Sequence, residues 1–284
     1  MAAQLVVDQA LEAPQARKVP LAAWLSAAVL VLLALAALVP GLLTSIDPLA
    51  TNPAQSHRPP SAEHLFGTDR LGRDQFARVV HGARVSLGIG FIATGAAVAI
   101  AIVAGVLIGL APRWIDGLAM RILEVVLAFP ELLLALVVIA LLGPGTQNVL
   151  IAITISAIPV YVRMVRIATV QVRTSGYVEA ATALGVGRTA VVVRHVLPNV
   201  VGPLLVLATI GVGNAIIAGS AMSFLNLGPV APTPEWGLML SEGRDSLRNA
   251  WWVAVFPGLA ITATVISTTV LGRHLQARFE GTTS

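Results

Sequence analysis

The chain has 284 residues, 56% of them hydrophobic and only 11% charged, with a net charge of +4. Soluble globular domains carry about 25% charged residues, so a water-soluble domain is excluded for most of this chain. There is no cysteine, which excludes disulfides, thiolate metal sites and thiol nucleophiles.

The apolar residues fall in six blocks, 21–43, 85–111, 118–142, 149–165, 200–227 and 251–271. A bilayer-crossing helix needs about 20 apolar residues. The blocks are continuous and do not alternate polar with apolar, so strands are not expected. The predicted fold is all-α, a polytopic membrane protein with six transmembrane helices. The 18 basic residues, all Arg but Lys18, sit mainly at block ends. There they orient a membrane protein, and no nucleic-acid partner is expected.

In chain order, 1–20 is a tail in which Arg17 and Lys18 precede the first block. The block 21–43 is too long for a cleavable signal core of about 7–15 residues, so it is predicted to be the first span. Residues 44–84 form an extracytoplasmic segment. It opens Pro-rich and disordered-looking (Asp47-Pro48, Asn52-Pro53, Arg58-Pro59-Pro60), then turns amphipathic from Leu65 through Leu71, Phe76, Val79 and Val80. Residues 85–272 are read as a five-helix core with a loop at 166–199, and 273–284 as a second tail. Gly95, Gly105, Gly109, Gly211, Gly213 and Gly219 are expected to allow close helix packing. Pro159 is expected to kink the fourth span, and Arg163 to snorkel from it.

Six spans place both termini on one side. With that side cytoplasmic, eleven basic residues lie inside and seven outside, which favours this orientation. Four outer Arg (Arg70, Arg73, Arg78, Arg84) crowd before the second block and count against it.

No Gly-rich phosphate loop ending in Lys-Ser/Thr occurs, so the chain does not itself hydrolyse ATP by that route. His57, His64 and His81 lie near Asp69 and Asp74, but at no metal-ligand spacing, and are read as surface histidines. No Ser sits in a recognisable His/Asp frame. No cofactor or metal is expected in the chain.

The informative segment runs Tyr177-Val178-Glu179-Ala180-Ala181-Thr182-Ala183-Leu184-Gly185-Val186-Gly187-Arg188, then 189–194, then His195-Val196-Leu197-Pro198-Asn199. It reads as a short helix with small residues, a glycine break permitting a sharp turn, a second short apolar helix, and a Pro-terminated stop before span five. Such a helix-turn-helix suits a groove on a soluble partner. An ordinary amphipathic loop packing on its own spans fits the spacing equally.

The order Glu-Ala-Ala, Gly, Leu-Pro resembles the signature of importer-type ABC permeases, with Glu179, Ala180, Ala181, Gly185, Leu197 and Pro198 as the matching positions. His195 stands where that signature has an apolar residue. The departure resembles the dipeptide, oligopeptide and nickel branch, where His-apolar-Leu-Pro-Asn is usual. Phe66-Gly67-Thr68-Asp69-Arg70-Leu71-Gly72-Arg73-Asp74, Gly82-Ala83-Arg84-Val85-Ser86-Leu87, Ala128-Phe129-Pro130, Leu142-Gly143-Pro144-Gly145, Ser223-Phe224-Leu225, Pro232-Thr233-Pro234-Glu235-Trp236-Gly237 and Phe256-Pro257-Gly258 also resemble that branch.

The resemblance implies an importer-type permease fold in the cell membrane, with both termini cytoplasmic. It implies ATP-driven import of short peptides, with nickel or a nickel chelate as the alternative cargo. The implied partners are a second permease subunit forming a heterodimer, two ATP-binding subunits that hold ATP and Mg, an extracytoplasmic substrate-binding protein, and membrane lipid. The six signature residues become the loop coupled to the ATPase.

Ionisable residues at depth are few, and each is a functional candidate. Glu124 lies one turn after Arg121 and is expected to pair with it. Glu131 follows Phe129-Pro130 near the middle of the third block with no basic residue within two turns. Burying a lone charge there costs about 2.5–3.5 kcal/mol or more. Either it lines a substrate path and meets a cation, or it stays protonated or pairs with another span. A stand-alone secondary transporter, the rival class, predicts broken helices and paired intramembrane charges. A membrane enzyme predicts a catalytic constellation that is not found.

Overall fold

A computed structural model describes residues 21–281; the expectations for 1–20, with Arg17 and Lys18, and for 282–284 lie outside the described residues. The long helices are α1 (Leu21–Leu38), α2 (Gln75–Leu110), α5 (Thr146–Arg173), α8 (Leu197–Phe224) and α10 (Trp252–Gly281). Shorter ones are α3 (Arg113–Leu127), α4 (Glu131–Leu142), α6 (Gly176–Ala183), α7 (Arg188–Val191) and α9 (Trp236–Arg244). No strand occurs among the described residues. Among the described residues five helices are long and apolar enough to cross a membrane, or six crossings if α3 and α4 are one broken span.

The ends of the bundle follow from its ties. Ala36 near the end of α1 packs with Val80 and Ala83 near the start of α2, and with Trp236 of α9. Gly145 before α5 donates its N–H to the Leu227 carbonyl after α8, at 3.0 Å. At the far end, Arg173 Nη1 donates to the Gly109 carbonyl at 2.9 Å. Thus α1, α4 and α8 run toward the end carrying 66–74, and α2, α5 and α10 run toward the end carrying α6.

The third block is not a straight span. The bend between α3 and α4 is 89°, where Ala128-Phe129-Pro130 interrupts the helix. Pro130 has no N–H to give, and its ring keeps Phe129 out of the helical region. α4 joins the core, with Ala135 and Ile139 against Ile89, Ile153 and Met222. α3 buries no residue. It is strongly amphipathic and is held by Asp116, which pairs with Arg166 of α5. Arg121 and Glu124 are both exposed and form no ion pair, which corrects the expected pair.

Five of the six marked glycines mediate close contact. A Cβ on Gly105 would lie 2.6 Å from Val165, on Gly219 2.8 Å from Ile89, and on Gly213 2.8 Å from Thr268. Gly95 faces open space instead. Pro159 lies within the uninterrupted helix α5.

The segment before α2 is ordered, not disordered. Asn52 N–H donates to the Leu71 carbonyl, His57 N–H to Asp69 and Thr68 N–H to Arg58, each at 3.0 Å. These partners lie ten to nearly twenty residues away, so the local Pro-rich composition hides them. At Gly72, φ is +72° and a Cβ would sit 1.8 Å from the Asn52 carbonyl oxygen, so only glycine fits. Asp74 caps α2, accepting from Ala77 N–H at 2.7 Å. The helix therefore starts at Gln75, ten residues before the apolar block.

A buried ion cluster ties this segment to α9. Arg73 Nε donates to Asp69 Oδ2 at 2.5 Å and Arg73 Nη2 to Glu242 Oε2 at 3.0 Å. Arg78 Nη2 donates to the same Glu242 oxygen at 2.9 Å. Arg73 and Arg78 are 2% and 0% exposed. Two of the four Arg that weighed against the expected orientation are thus neutralised in place. His64, read as a surface residue, is 12% exposed and bonds Asp74 at 2.8 Å. His57 bonds Ser246 Oγ at 3.2 Å.

The Pro-Glu-Trp-Gly motif closes this end. Glu235 caps α9 by accepting from Gly237 and Leu238 N–H at 2.9 and 2.8 Å. Trp236 is fully buried and donates Nε1–H to the Val79 carbonyl at 2.9 Å. Trp252 donates to the Thr68 carbonyl at 3.0 Å, and Phe66 stacks on Phe256 at 3.9 Å.

Removing one member of a buried ion pair costs about 3–5 kcal/mol, because the other charge stays buried. Glu242→Ala should therefore lower the thermal unfolding midpoint of the purified protein sharply, and Glu242→Gln, which keeps one acceptor oxygen, less so. An unchanged midpoint for Glu242→Ala would show that the cluster does not hold this end together.

Candidate functional site

Two places combine exposed chemistry with defined geometry. The first is α6 and its surroundings. Ser175 precedes the helix, and its carbonyl accepts the N–H groups of Val178 and Glu179 at 3.0 and 3.1 Å. Glu179 lies in the first turn, where the helix dipole favours a carboxylate. The helix ends in a Schellman cap. Val186 N–H reaches the Ala181 carbonyl at 3.1 Å, Gly185 N–H reaches Thr182 at 3.0 Å, and Gly185 has φ +86°. That left-handed residue explains the signature glycine, since glycine carries no Cβ penalty there.

Val178 is the one buried residue of α6. Glu179 and Ala180 are exposed, Ala181 is half-buried, and Leu184 is 86% exposed. A cleft of about 590 Å³, lined by Leu110, Arg173, Val178 and Val191 among others, separates the loop from the spans. The loop stands off the bundle except where Val178 packs.

Pro198 does not stop a helix. α7 runs through a π-turn, Val192–Val196, into α8, and the stretch Thr189–Phe224 is one apolar helix. In the π-turn, Leu197 N–H bonds the Val192 carbonyl. This wider turn carries the chain past Pro198, which lacks an N–H for the ladder. Leu197 is half-buried and Pro198 exposed, beside the buried Val196 and Val200.

The structure joins the two halves of the signature through contacts among Tyr177, His195 and Asn199. The Tyr177 ring meets the His195 ring edge-on at 5.7 Å. Asn199 Nδ2 donates to the Tyr177 hydroxyl at 3.3 Å and to the His195 carbonyl at 2.6 Å. His195 thus replaces an apolar residue where it contacts an aromatic ring on α6.

The second place is a small cleft of about 60 Å³ halfway along the bundle, with Glu131, Asn214, Tyr161, Thr94 and Gly211 in its lining. Thr94, Tyr161 and Gly211 lie near the middle of α2, α5 and α8, so the cleft is at mid-depth. Glu131 is the first residue of α4. It reaches mid-depth because the chain breaks there, and not as the middle of a straight helix.

Glu131 and Asn214 are exposed in the isolated chain. Among the described residues neither side chain makes a hydrogen bond or ion pair. Tyr161 is 4% exposed, and a Cβ on Gly211 would lie 1.7 Å from its hydroxyl oxygen. Asn214 was missed in the sequence. The available signal was an amide at the middle of the fifth apolar block, whose other amide, Asn226, lies at its end. Among the described residues no group of three or more His, Cys, Asp or Glu is placed to hold a metal ion.

Residues 101–281 match the family described as binding-protein-dependent transport system inner membrane component. The chain is 44% identical over 235 residues to a dipeptide transport system permease protein DppC of Alkalihalophilus pseudofirmus, covering 83% of this chain and 77% of that one. It is 42% identical to a di/tripeptide transport system permease protein DppC of Pseudomonas aeruginosa, over 76% and 71%. It is 44% identical to a glutathione transport system permease protein GsiD of Escherichia coli, over 76% and 72%. A solved chain from inward-facing MetNI methionine ABC transporter superposes with TM-score 0.56 at 20% identity, covering 71% of this chain and 96% of that one. That likeness shows the fold.

Gly211→Ala should force the Tyr161 hydroxyl out of its place. Overpacking of this kind costs about 1–3 kcal/mol. The thermal midpoint should fall, and Tyr161→Phe in the same chain should restore much of it, because the next ring atom lies 3.1 Å from the new Cβ. No recovery in the double variant would contradict the contact.

Proposed function

The chain belongs to the binding-protein-dependent transport system inner membrane components, and on that premise we propose that it is the permease subunit of an ATP-driven importer of short peptides. The observation that carries the reading is α6. It is a short exposed helix with a glycine-fixed end, held off the bundle and tied by Tyr177, His195 and Asn199 to the root of a membrane-long helix. An ATPase subunit docking on Glu179, Ala180 and Leu184 would act on α8 through Gly185, Leu197 and Pro198. The names of the relatives support a peptide cargo.

On this reading two ATP-binding subunits supply ATP, Mg and hydrolysis. A second permease subunit completes the path as a heterodimer, and a substrate-binding protein delivers cargo at the end carrying 66–74. The end bearing α6, the start of α1 and the end of α10 is cytoplasmic. Neutralisation of Arg73 and Arg78 removes much of the charge argument against that orientation. Glu131 faces the path, because an unpaired carboxylate at mid-depth is too costly to keep against lipid. The break beside it is the feature a secondary transporter would also show, but paired charges at mid-depth do not accompany it.

The test is ATP-dependent uptake of a labelled dipeptide by vesicles holding the complete complex and its binding protein. Gly185→Glu should abolish most uptake and cargo-stimulated ATPase while the chain still inserts. A side chain at φ +86° costs about 1–2 kcal/mol, and it would project from open space toward the partner. Normal cargo-stimulated ATPase in that variant would overturn the docking role. Uptake of a nickel chelate and not of peptide would overturn the cargo.

A further inference from the structure

We propose that the mid-depth cleft is a binding site for the amino-terminal end of a peptide, with Glu131 taking the ammonium and Asn214 reading the first peptide group. The inference rests on the peptide-import reading above and assigns roles within it. Three observations carry it.

The first is depth combined with lack of partners. Glu131 and Asn214 line one cleft halfway along the bundle, and neither side chain has a hydrogen-bond or ion-pair partner among the described residues. A carboxylate and a primary amide at that depth must meet water, a partner or a ligand, because lipid offers no hydrogen bonds. The buried ion cluster at the end of the bundle shows the alternative, in which every charge has an opposite charge within reach.

The second is chemical match. A peptide's α-amino group is charged at neutral pH, and Glu131 offers it an unpaired carboxylate. The next polar unit along a peptide is its first amide, one carbonyl acceptor and one N–H donor. An Asn side chain carries the complementary carbonyl and NH₂ groups. The two residues come from different helices, α4 and α8, so the cleft reads two successive groups of one cargo.

The third is shape. Tyr161 and Gly211 form part of the wall, and Gly211 leaves the Tyr161 hydroxyl room beside α8. Ile153, Ala157 and Ile210 complete an apolar lining for a first side chain.

The test uses the complete complex in vesicles with its binding protein. Three cargoes are supplied at concentrations saturating the binding protein: dialanine, N-acetyl-dialanine, and the ester analogue of dialanine that lacks the peptide N–H. Wild type should import dialanine several-fold faster than either analogue. Asn214→Ala should slow dialanine to about the ester's rate while leaving the preference over the N-acetyl cargo. Glu131→Gln should do the reverse, erasing the free-amine preference and leaving the preference over the ester. This crossed pattern is not expected of a structural role, which would slow all three cargoes together.

Equal wild-type uptake of dialanine and the ester overturns the role of Asn214 without any variant. A preference unchanged by either substitution overturns the assignment of that residue. If wild type imports no peptide at all, the import reading itself fails; if it imports peptides without discrimination, only this inference fails.

Discussion

A charged or amide side chain moved from water into a membrane protein must recover what its hydration supplied, from another side chain, from the backbone or from water that reaches it. The two polar centres of this chain meet that demand differently. At the 66–74 end, Arg73 and Arg78 share Glu242, while Asp69 closes the cluster from its own loop. The charges are paired internally, and the outcome is a cap binding the chain before α2 to α9. At mid-depth, the Glu131 and Asn214 side chains find no hydrogen-bond or ion-pair partner among the described residues. What the fold leaves unsatisfied there is what a cargo can satisfy.

α8 connects this cleft to the loop. Leu197 stands at its root beside α6, and Asn214 lies 17 positions further along the same helix, about 26 Å away at 1.5 Å per residue. Coupling across such distances needs packed elements with discrete arrangements. The π-turn, the Tyr177–His195 contact and the Asn199 bonds make the root of α8 the point where α6 is attached. Displacing α6 toward or away from the bundle would therefore tilt the helix that carries Asn214. The cleft beneath the loop leaves room for that displacement.

Much of the fold was legible in hydropathy alone, because a helix in lipid must be apolar over its length whatever it packs against. The signature Gly185 was legible too, since its left-handed conformation is local. The rest depended on partners remote in sequence. The start of α2 at Gln75 was hidden because Arg78 looks like surface until Glu242, 164 residues away, is placed beside it. The 52–72 loop looked disordered because its hydrogen bonds are not local. Hydropathy carries no direction, so the third block read as straight although Pro130 turns it through 89°. Pro198 read as a stop because a π-turn is not visible in composition. Glu131 was found as the charge in its block with no basic residue within two turns. Asn214 passed unnoticed because one polar residue does not break the mean hydropathy of a long apolar block, and its importance comes from sharing a cleft with Glu131.

If the unpartnered polar groups at mid-depth serve a cargo, they face an aqueous route in the assembled transporter. The chain has no cysteine of its own, so Asn214→Cys supplies a single reporter thiol here, tested in a complex whose other subunits are cysteine-free. Labelling of that complex with a small hydrophilic thiol reagent, with and without cargo and in nucleotide-free and ATP-trapped states, tests the claim most directly. The thiol should be modified rapidly in at least one state and protected by bound peptide. A thiol that stays unreactive in every state, yet reacts once the protein is denatured, would mean that position 214 is sealed against lipid or a partner subunit, and would contradict it.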